Sequence, residues 1–120
     1  MRKEHVSPGT FIAAVGADDK HKQEIDPALM ASARVVVDSL DQCCAIGDLH
    51  HAIEAHVMTR ADVHAELGQI VAGLKTGRTS DDEITVFDSS GTALQDVAAA
   101  AAVYRRALEH GQTMRFSFAQ

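Results

Sequence analysis

The chain has no tryptophan, one tyrosine and four phenylalanines among 120 residues, so it lacks the aromatic platforms on which single-stranded nucleic acid stacks. Positive charge is scarce too. Eleven Lys and Arg stand against seventeen Asp and Glu, a formal charge of −6, and the basic residues form no cluster beyond Met1-Arg2-Lys3. Nucleic acid is therefore not an expected partner. No segment approaches the roughly 18 consecutive apolar residues of a membrane span, and the first residues carry no apolar signal-peptide core. The expectation is no membrane partner and a cytoplasmic location. Cysteine is confined to the neighbours Cys43 and Cys44, whose mutual bridge would close a strained ring, so both are expected as reduced thiols packed in a helix. Glycine-rich phosphate loops are missing as well: neither G-x-G-x-x-G nor a Walker spacing ending in Gly-Lys-Ser/Thr occurs. A self-sufficient nucleotide-binding domain is not encoded in these residues.

What is present suits one globular domain, with 46 % hydrophobic and 23 % charged residues. Thr10-Phe-Ile-Ala-Ala-Val15 is a continuous apolar run closed by Gly16, the pattern of a strand covered on both faces of a parallel sheet. Asp26-Pro27 reads as a helix cap followed by proline in the first turn, and Ala28 to Ala33 are good helix formers. Arg34-Val-Val-Val-Asp38 predicts a second buried strand. Strand, helix and strand in that space make one βαβ unit, whose strands are parallel. Residues Leu40 to Leu74 read as helical, with breaks at Gly47, near Met58-Thr59 and at Gly73. Gly77 to Glu83 is a polar loop, and Ile84-Thr-Val-Phe87 a third short strand. A long helix over Ala93–Glu109 follows, with Thr92 and Gln95 in capping-box spacing. Its stripe of Leu94, Val97, Ala98, Ala101 and Leu108 must be buried against something. Met114 to Phe118 alternates like a final edge strand.

In open parallel sheets ligands sit beyond the carboxyl ends of the strands. The residues just past two strand ends are Gly16-Ala17-Asp18 and Asp38-Ser39, which sets both acids at that edge, either as ligand-facing groups or as ordinary turn formers. Seven histidines raise the question of a metal, since His50 or His51 could share a helix face with Glu54. Zinc needs three or four converging ligands, nothing marks His56, His64 or the cysteines as the remainder, and no metal is expected.

Taken together, Gly9-Thr-Phe-Ile-Ala-Ala-Val-Gly-Ala-Asp18, Lys22-Gln-Glu-Ile-Asp-Pro27, Ala33-Arg-Val-Val-Val-Asp-Ser39, Ala65-Glu-Leu-Gly-Gln-Ile-Val-Ala-Gly73, Gly77-Arg-Thr-Ser-Asp-Asp-Glu-Ile-Thr-Val-Phe87 and Gln95-Asp-Val-Ala-Ala-Ala100 resemble, in order, the C-terminal part of the ornithine cyclodeaminase/mu-crystallin family. The resemblance implies an α/β fold: the C-terminal half of a Rossmann-like parallel sheet, followed by helices, a short strand and a long C-terminal helix. Residues 1–80 would be a partial NAD(P)-binding segment, and 81–120 would belong to the substrate-binding and dimer-forming domain. It further implies NAD or NADP as cofactor of the full-length proteins and a small amino acid as substrate. The family reactions are conversion of L-ornithine to L-proline and ammonia, alanine dehydrogenation and imine reduction. Asp18 falls where cyclodeaminases carry their catalytic acid/base, Val15 with Gly16 and Ala17 where the nicotinamide pocket is lined, and Ser89 at a serine near nicotinamide and substrate. Family members are considerably longer, and their N-terminal part carries both the glycine-rich turn and the Arg/Lys groups for the substrate carboxylate. Asp88 stands where mu-crystallins have lysine, and His56 where many relatives have a turn-ending glycine. This chain alone is expected to bind the cofactor weakly, to be inactive and to form a homo-oligomer. The alternative is a catalytically inactive, self-associating interaction module without cofactor.

Overall fold

The computed structural model describes residues 1–111, 114 and 116. Its elements are β1 (Phe11–Ala14), α1 (Pro27–Ser32), β2 (Arg34–Val37), α2 (Leu40–Ile46), α3 (Asp48–Glu54), β3 (Ala65–Glu66), α4 (Leu67–Val71), β4 (Thr85–Asp88) and α5 (Ala93–Glu109). The strands form one parallel sheet in the order β1-β4-β2-β3. The expected α/β class with a βαβ start is therefore present.

Local chemistry accounts for most element boundaries. Asp26 accepts the Ala28 amide at 2.9 Å and Pro27 opens α1, the predicted cap. Gly47 separates α2 from α3, as its position suggested. After α3 the chain turns at His56, with φ +57°, the only non-glycine residue in the left-handed region among those described. A glycine would adopt that conformation without strain, and glycine is what the resemblance set there. The capping box of α5 is not formed: the Thr92 side chain accepts nothing, and its carbonyl takes the Gln95 amide at 3.0 Å instead. The strand β3 was not expected. Its two residues carry helix-compatible composition and become a strand only because Ala65 and Glu66 pair with Val36 and Val37. Pairing partners distant in sequence override a weak local pattern here.

The core lies on one face of the sheet. Ile12, Ala14, Val35, Val37 and Val86 pack with Leu29 and Met30 of α1, Cys43 of α2, and Leu49 and Ala52 of α3. β1 is thus not covered on both faces as expected. Its burial alternates, with Ile12 and Ala14 inside and Phe11 61 % exposed. On the opposite face Phe11, Val36, Phe87, Leu67 and Ile70 line an open apolar hollow of about 230 Å³. The helix α5 buries none of its residues, so its apolar stripe has no partner among the described residues; Leu94 is 76 % exposed. The division expected at residue 80 separates β4 from the sheet of which it is an inner strand. In the structure β4 completes that sheet, and α5 is the element that stands apart. The strand predicted over Met114 to Phe118 falls mostly outside the described residues. Among the described residues no helix is long and apolar enough to cross a membrane.

Candidate functional site

Parallel register brings three strand ends to one level, because Asp88 of β4 pairs with Ala14 of β1 on one side and Val37 of β2 on the other. The residues that follow, Val15 to Asp18, Ser89 to Gly91 and Asp38-Ser39, therefore share the carboxyl edge of the sheet. The Ser89 amide donates to the Ala14 carbonyl at 2.9 Å, which fixes Ser89 beside Val15.

Asp38 is the hub of this edge. Its Oδ2 accepts the Ser89 hydroxyl at 2.9 Å and the Gly91 amide at 2.9 Å. Its Oδ1 accepts the Ser39 amide at 2.7 Å, the Ser90 hydroxyl at 3.2 Å and the Cys43 thiol at 3.2 Å. Partial burial works against the carboxylate charge, but the bonds from Ser89, Cys43, Ser39 and Gly91 outweigh it and hold the carboxyl below the usual range. Of the two sequence readings of Asp38, turn former and edge acid, both describe it: it closes the Ser89–Gly91 turn from the ligand edge. Cys43 is no nucleophile, since burial pushes its thiol up to about 12. Cys44 is partly buried and free.

The β1 loop is built differently. Val15 is 64 % exposed and offers apolar surface, whereas Ala17 is buried. The Gly16 amide donates to Glu24 Oε2 at 2.8 Å, and a side chain at residue 16 would place its Cβ 2.5 Å from Glu24 Oε1. Asp18 is exposed and pairs with Lys22 Nζ at 2.5 Å. The hydrogen bond and the charge of Lys22 lower its pKa, which favours the ionised carboxylate and makes it a weaker base while the pair holds. Its partner is Lys22 and not the Asp38–Ser89 group. The structure thus joins Val15, Gly16 and Ser89 at one edge and leaves Asp18 on the adjoining loop.

Two buried acids behind the edge escaped the sequence reading. Asp48 Oδ1 accepts the Glu24 amide at 2.8 Å and the Ile25 amide at 2.9 Å, anchoring the far end of the Asp18 loop. Asp88 Oδ2 accepts the Leu49 amide at 2.8 Å and Oδ1 the Asp48 amide at 3.3 Å, so it satisfies the start of α3. The approach is close: a Cβ at Gly47 would lie 2.7 Å from Asp88 Oδ2. A signal for Asp88 existed in the alternation of β4, which turns residue 88 to the same face as buried Val86. An acid at such a position needs donors.

The histidines are spread through the fold. His50 Nδ1 lies 3.1 Å from the Cys44 carbonyl, His51 Nε2 lies 2.8 Å from the Lys22 carbonyl, and His64 sits 2.9 Å from an Arg34 guanidinium nitrogen. Among the described residues no three His, Cys, Asp or Glu side chains converge as metal ligands.

Known proteins match this architecture. A model of the ornithine cyclodeaminase/mu-crystallin family matches residues 1–111. An archaeal alanine dehydrogenase dimer with bound NAD superposes with a TM-score of 0.90 at 45 % identity, covering 98 % of this chain and 37 % of that one. The iminosuccinate reductase of Paracoccus denitrificans, in complex with NAD+, gives 0.85 at 47 % identity, with 92 % and 34 % covered. The Thermococcus litoralis Δ1-pyrroline-2-carboxylate reductase, in complex with NADH and L-proline, gives 0.88 at 35 % identity, with 92 % and 35 % covered. The chain spans about a third of the length of these relatives.

The buried acids make stability depend on pH. Burial pushes Asp88 from its ordinary 3.8 up to about 6, with the charges of Asp48 and Asp38 adding to the rise against the two amide bonds. Burial raises Asp48 in the same direction. A carboxyl whose folded-state pKa is raised favours the fold most below its unfolded value, and that contribution is lost as pH climbs through the raised one. Denaturant unfolding should therefore show Asp88-linked stability falling between pH 4 and 6, by about 3 kcal/mol for a shift of this size. Asp88→Asn should flatten that fall; an unchanged pH slope in the variant would show that Asp88 titrates normally.

Proposed function

Because the chain belongs to the ornithine cyclodeaminase/mu-crystallin family, we propose that it supplies the nicotinamide-facing half of an NAD- or NADP-dependent site for a small amino or imino acid. The observation that carries this reading is the meeting of Val15 and Gly16 with Ser89 at the carboxyl edge of a parallel sheet, with Asp18 on the adjoining loop. Such an edge is where α/β folds take dinucleotides. The residues present fit one end of that cofactor: Val15 offers an exposed apolar surface for a ring, and Ser89 a fixed polar atom beside it. When bound, NAD accepts a hydride from the Cα of an amino acid and returns one to an imine.

This chain's own contribution is proton handling and placement. Asp18 is an exposed carboxylate, so it can take a proton released by the substrate amine and hand it to departing ammonia; its pairing with Lys22 lowers its basicity, and release of that pair would strengthen it as a base. The turn that bears it is pinned by Glu24 at Gly16 and by Asp48 at residues 24 and 25. The choice among cyclodeamination of ornithine to proline, alanine dehydrogenation and imine reduction rests with the carboxylate-binding groups, which the resemblance places in the family's N-terminal part. Residues 1–80, together with β4, are assigned to the partial dinucleotide-binding sheet. α5 is assigned to the dimer-forming domain.

A second reading, self-association without cofactor, is favoured by one observation. The stripe of α5 with Leu94, Val97 and Leu108 faces water throughout the helix. At roughly 25 cal/mol per Å² of apolar surface, covering a few hundred Å² supplies several kcal/mol toward association, and monomers rarely expose so large a patch. A homo-oligomer with α5 at the contact serves both readings.

Three outcomes are expected. Calorimetry should find NAD(H) bound to the isolated chain more weakly than micromolar, since no G-x-G-x-x-G turn occurs in these residues to hold the pyrophosphate; a tighter constant would mean that another site exists. In an active, longer form that contains this segment, Asp18→Asn should lower turnover about 10²- to 10⁴-fold with cofactor affinity nearly intact, as expected for loss of a proton-transfer group. Near-normal turnover would return Asp18 to the role of a turn former. Light scattering at tens of micromolar should show a dimer or larger species that Ala101→Glu weakens, and a monomer with ordered α5 would refute the association.

A further inference from the structure

Ser89 has fewer options than a free hydroxyl. Its amide is taken by the Ala14 carbonyl, and its hydroxyl proton points into Asp38 Oδ2 at 2.9 Å. Asp38 cannot be satisfied without such donors. It is half-buried and ionised, and it gathers five of them, from Ser39, Cys43, Ser89, Ser90 and Gly91. Ser90, buried in the turn, spends its own hydroxyl on the same carboxylate. What Ser89 can still offer on its half-exposed side is the lone pairs of Oγ, and a hydroxyl carries one proton and two acceptor sites.

We propose that Asp38 is a positioning residue that sets the hydrogen-bond polarity of this edge: by taking the Ser89 proton it leaves Oγ as an acceptor only. The group that docks at Ser89 must then bring an N–H donor, such as a carboxamide or an ammonium, and a carboxylate is refused. Two effects work together against a carboxylate. Its oxygen would meet a lone pair in place of a proton, and the Asp38 charge lies directly behind. Turning the Ser89 proton outward would strip a partly buried carboxylate of a donor, which costs more than one hydrogen bond returns. The geometry holds whatever occupies the edge, but the identity of the donor rests on the nicotinamide reading above.

Heteronuclear NMR titration of the full chain can separate the two. The probes are NAD+, nicotinic acid adenine dinucleotide (a carboxylate in place of the carboxamide) and L-alanine, each at millimolar concentration. The amides of Ser89 to Gly91 should respond to NAD+ with a midpoint about tenfold lower than to the acid analogue, the value of one hydrogen bond. Ser89→Ala should erase the preference while the Val15 to Ala17 response persists. Asp38→Asn, which gives the Ser89 proton back, should reverse it; if that variant does not fold, the Ser89→Ala comparison carries the test. A response of the Ser89 turn to L-alanine but not to NAD+ would assign the donor to a substrate ammonium, upholding the polarity and removing the carboxamide. Equal responses to both dinucleotides, or a response confined to Val15 to Ala17, would overturn the polarity and leave the nicotinamide reading standing. Silence of both loops toward every probe would overturn both.

Discussion

The insertion of β4 between β1 and β2 is the constraint on which the carboxyl edge depends. β4 comes last of the strands in sequence yet pairs with both neighbours over four residues each, so its end delivers Asp88 inward and Ser89 outward at a level set by hydrogen bonds on two sides. If β4 slipped by one residue, Asp88 would leave the start of α3 and Ser89 would leave Asp38, since alternate residues point to opposite faces. Packing of Val86 in the core and the polar clamp at the edge therefore enforce the same register.

Four acids near this edge share one chemistry and differ in environment. Asp18 lies in water, where a carboxylate is charged in any case, and Lys22 beside it lowers its pKa further. Asp38 is half-buried and charged because five donors converge on it. Asp88 is fully buried with two amides only, one of them at 3.3 Å, and burial prevails, drawing its pKa up to about 6. Asp48, with two short amide bonds to one oxygen, shifts the same way. The number and quality of donors, set against desolvation, decides the sign in each case. The edge acids thus carry charge where a ligand would feel it, and the acids behind them bind backbone amides at the cost of raised pKa values.

How much of this was readable in the residues varies with the kind of interaction. Segments whose own chemistry determines them, such as the Asp26-Pro27 start of α1 and the valine run of β2, were legible because cap and propensity act within a few residues. β3 was not, because it exists only through pairing with β2. The one-sided cover of β1 was misread for a related reason: an apolar run records what a strand can pack against, and Phe11 and Ala13 face a side that the described residues leave open. Val15 and Ser89 were singled out by the resemblance and Gly16 also by the rule for strand ends, and the register sets all three at the carboxyl edge. The Asp38 hub was half visible as an edge acid, whereas three of its five donors, Ser89, Ser90 and Gly91, lie about fifty residues away and no spacing announces them. Asp48 followed a helix-breaking glycine, and nothing local marked its side chain as a clamp for residues 24 and 25.

Order at the edge and cohesion of the molecule are separable in this chain. Every bond that shapes the edge closes internally: Glu24 on Gly16, Asp48 on Glu24 and Ile25, Asp88 on Asp48 and Leu49, Asp38 on the Ser89 turn. The apolar surfaces do not close in the same way, for the hollow lined by Phe11, Val36 and Phe87 and the stripe of α5 both remain open. Polar contacts are short-ranged and directional, so a segment about a third the length of its relatives can close most of them, Asp48 Oδ2 being a buried atom left without a partner among the described residues. Apolar burial scales with area and needs a second surface, which a short chain is the first to lack. A segment of this family can therefore keep the geometry of its carboxyl edge while depending on other polypeptide, from its own chain or a copy, to cover its faces.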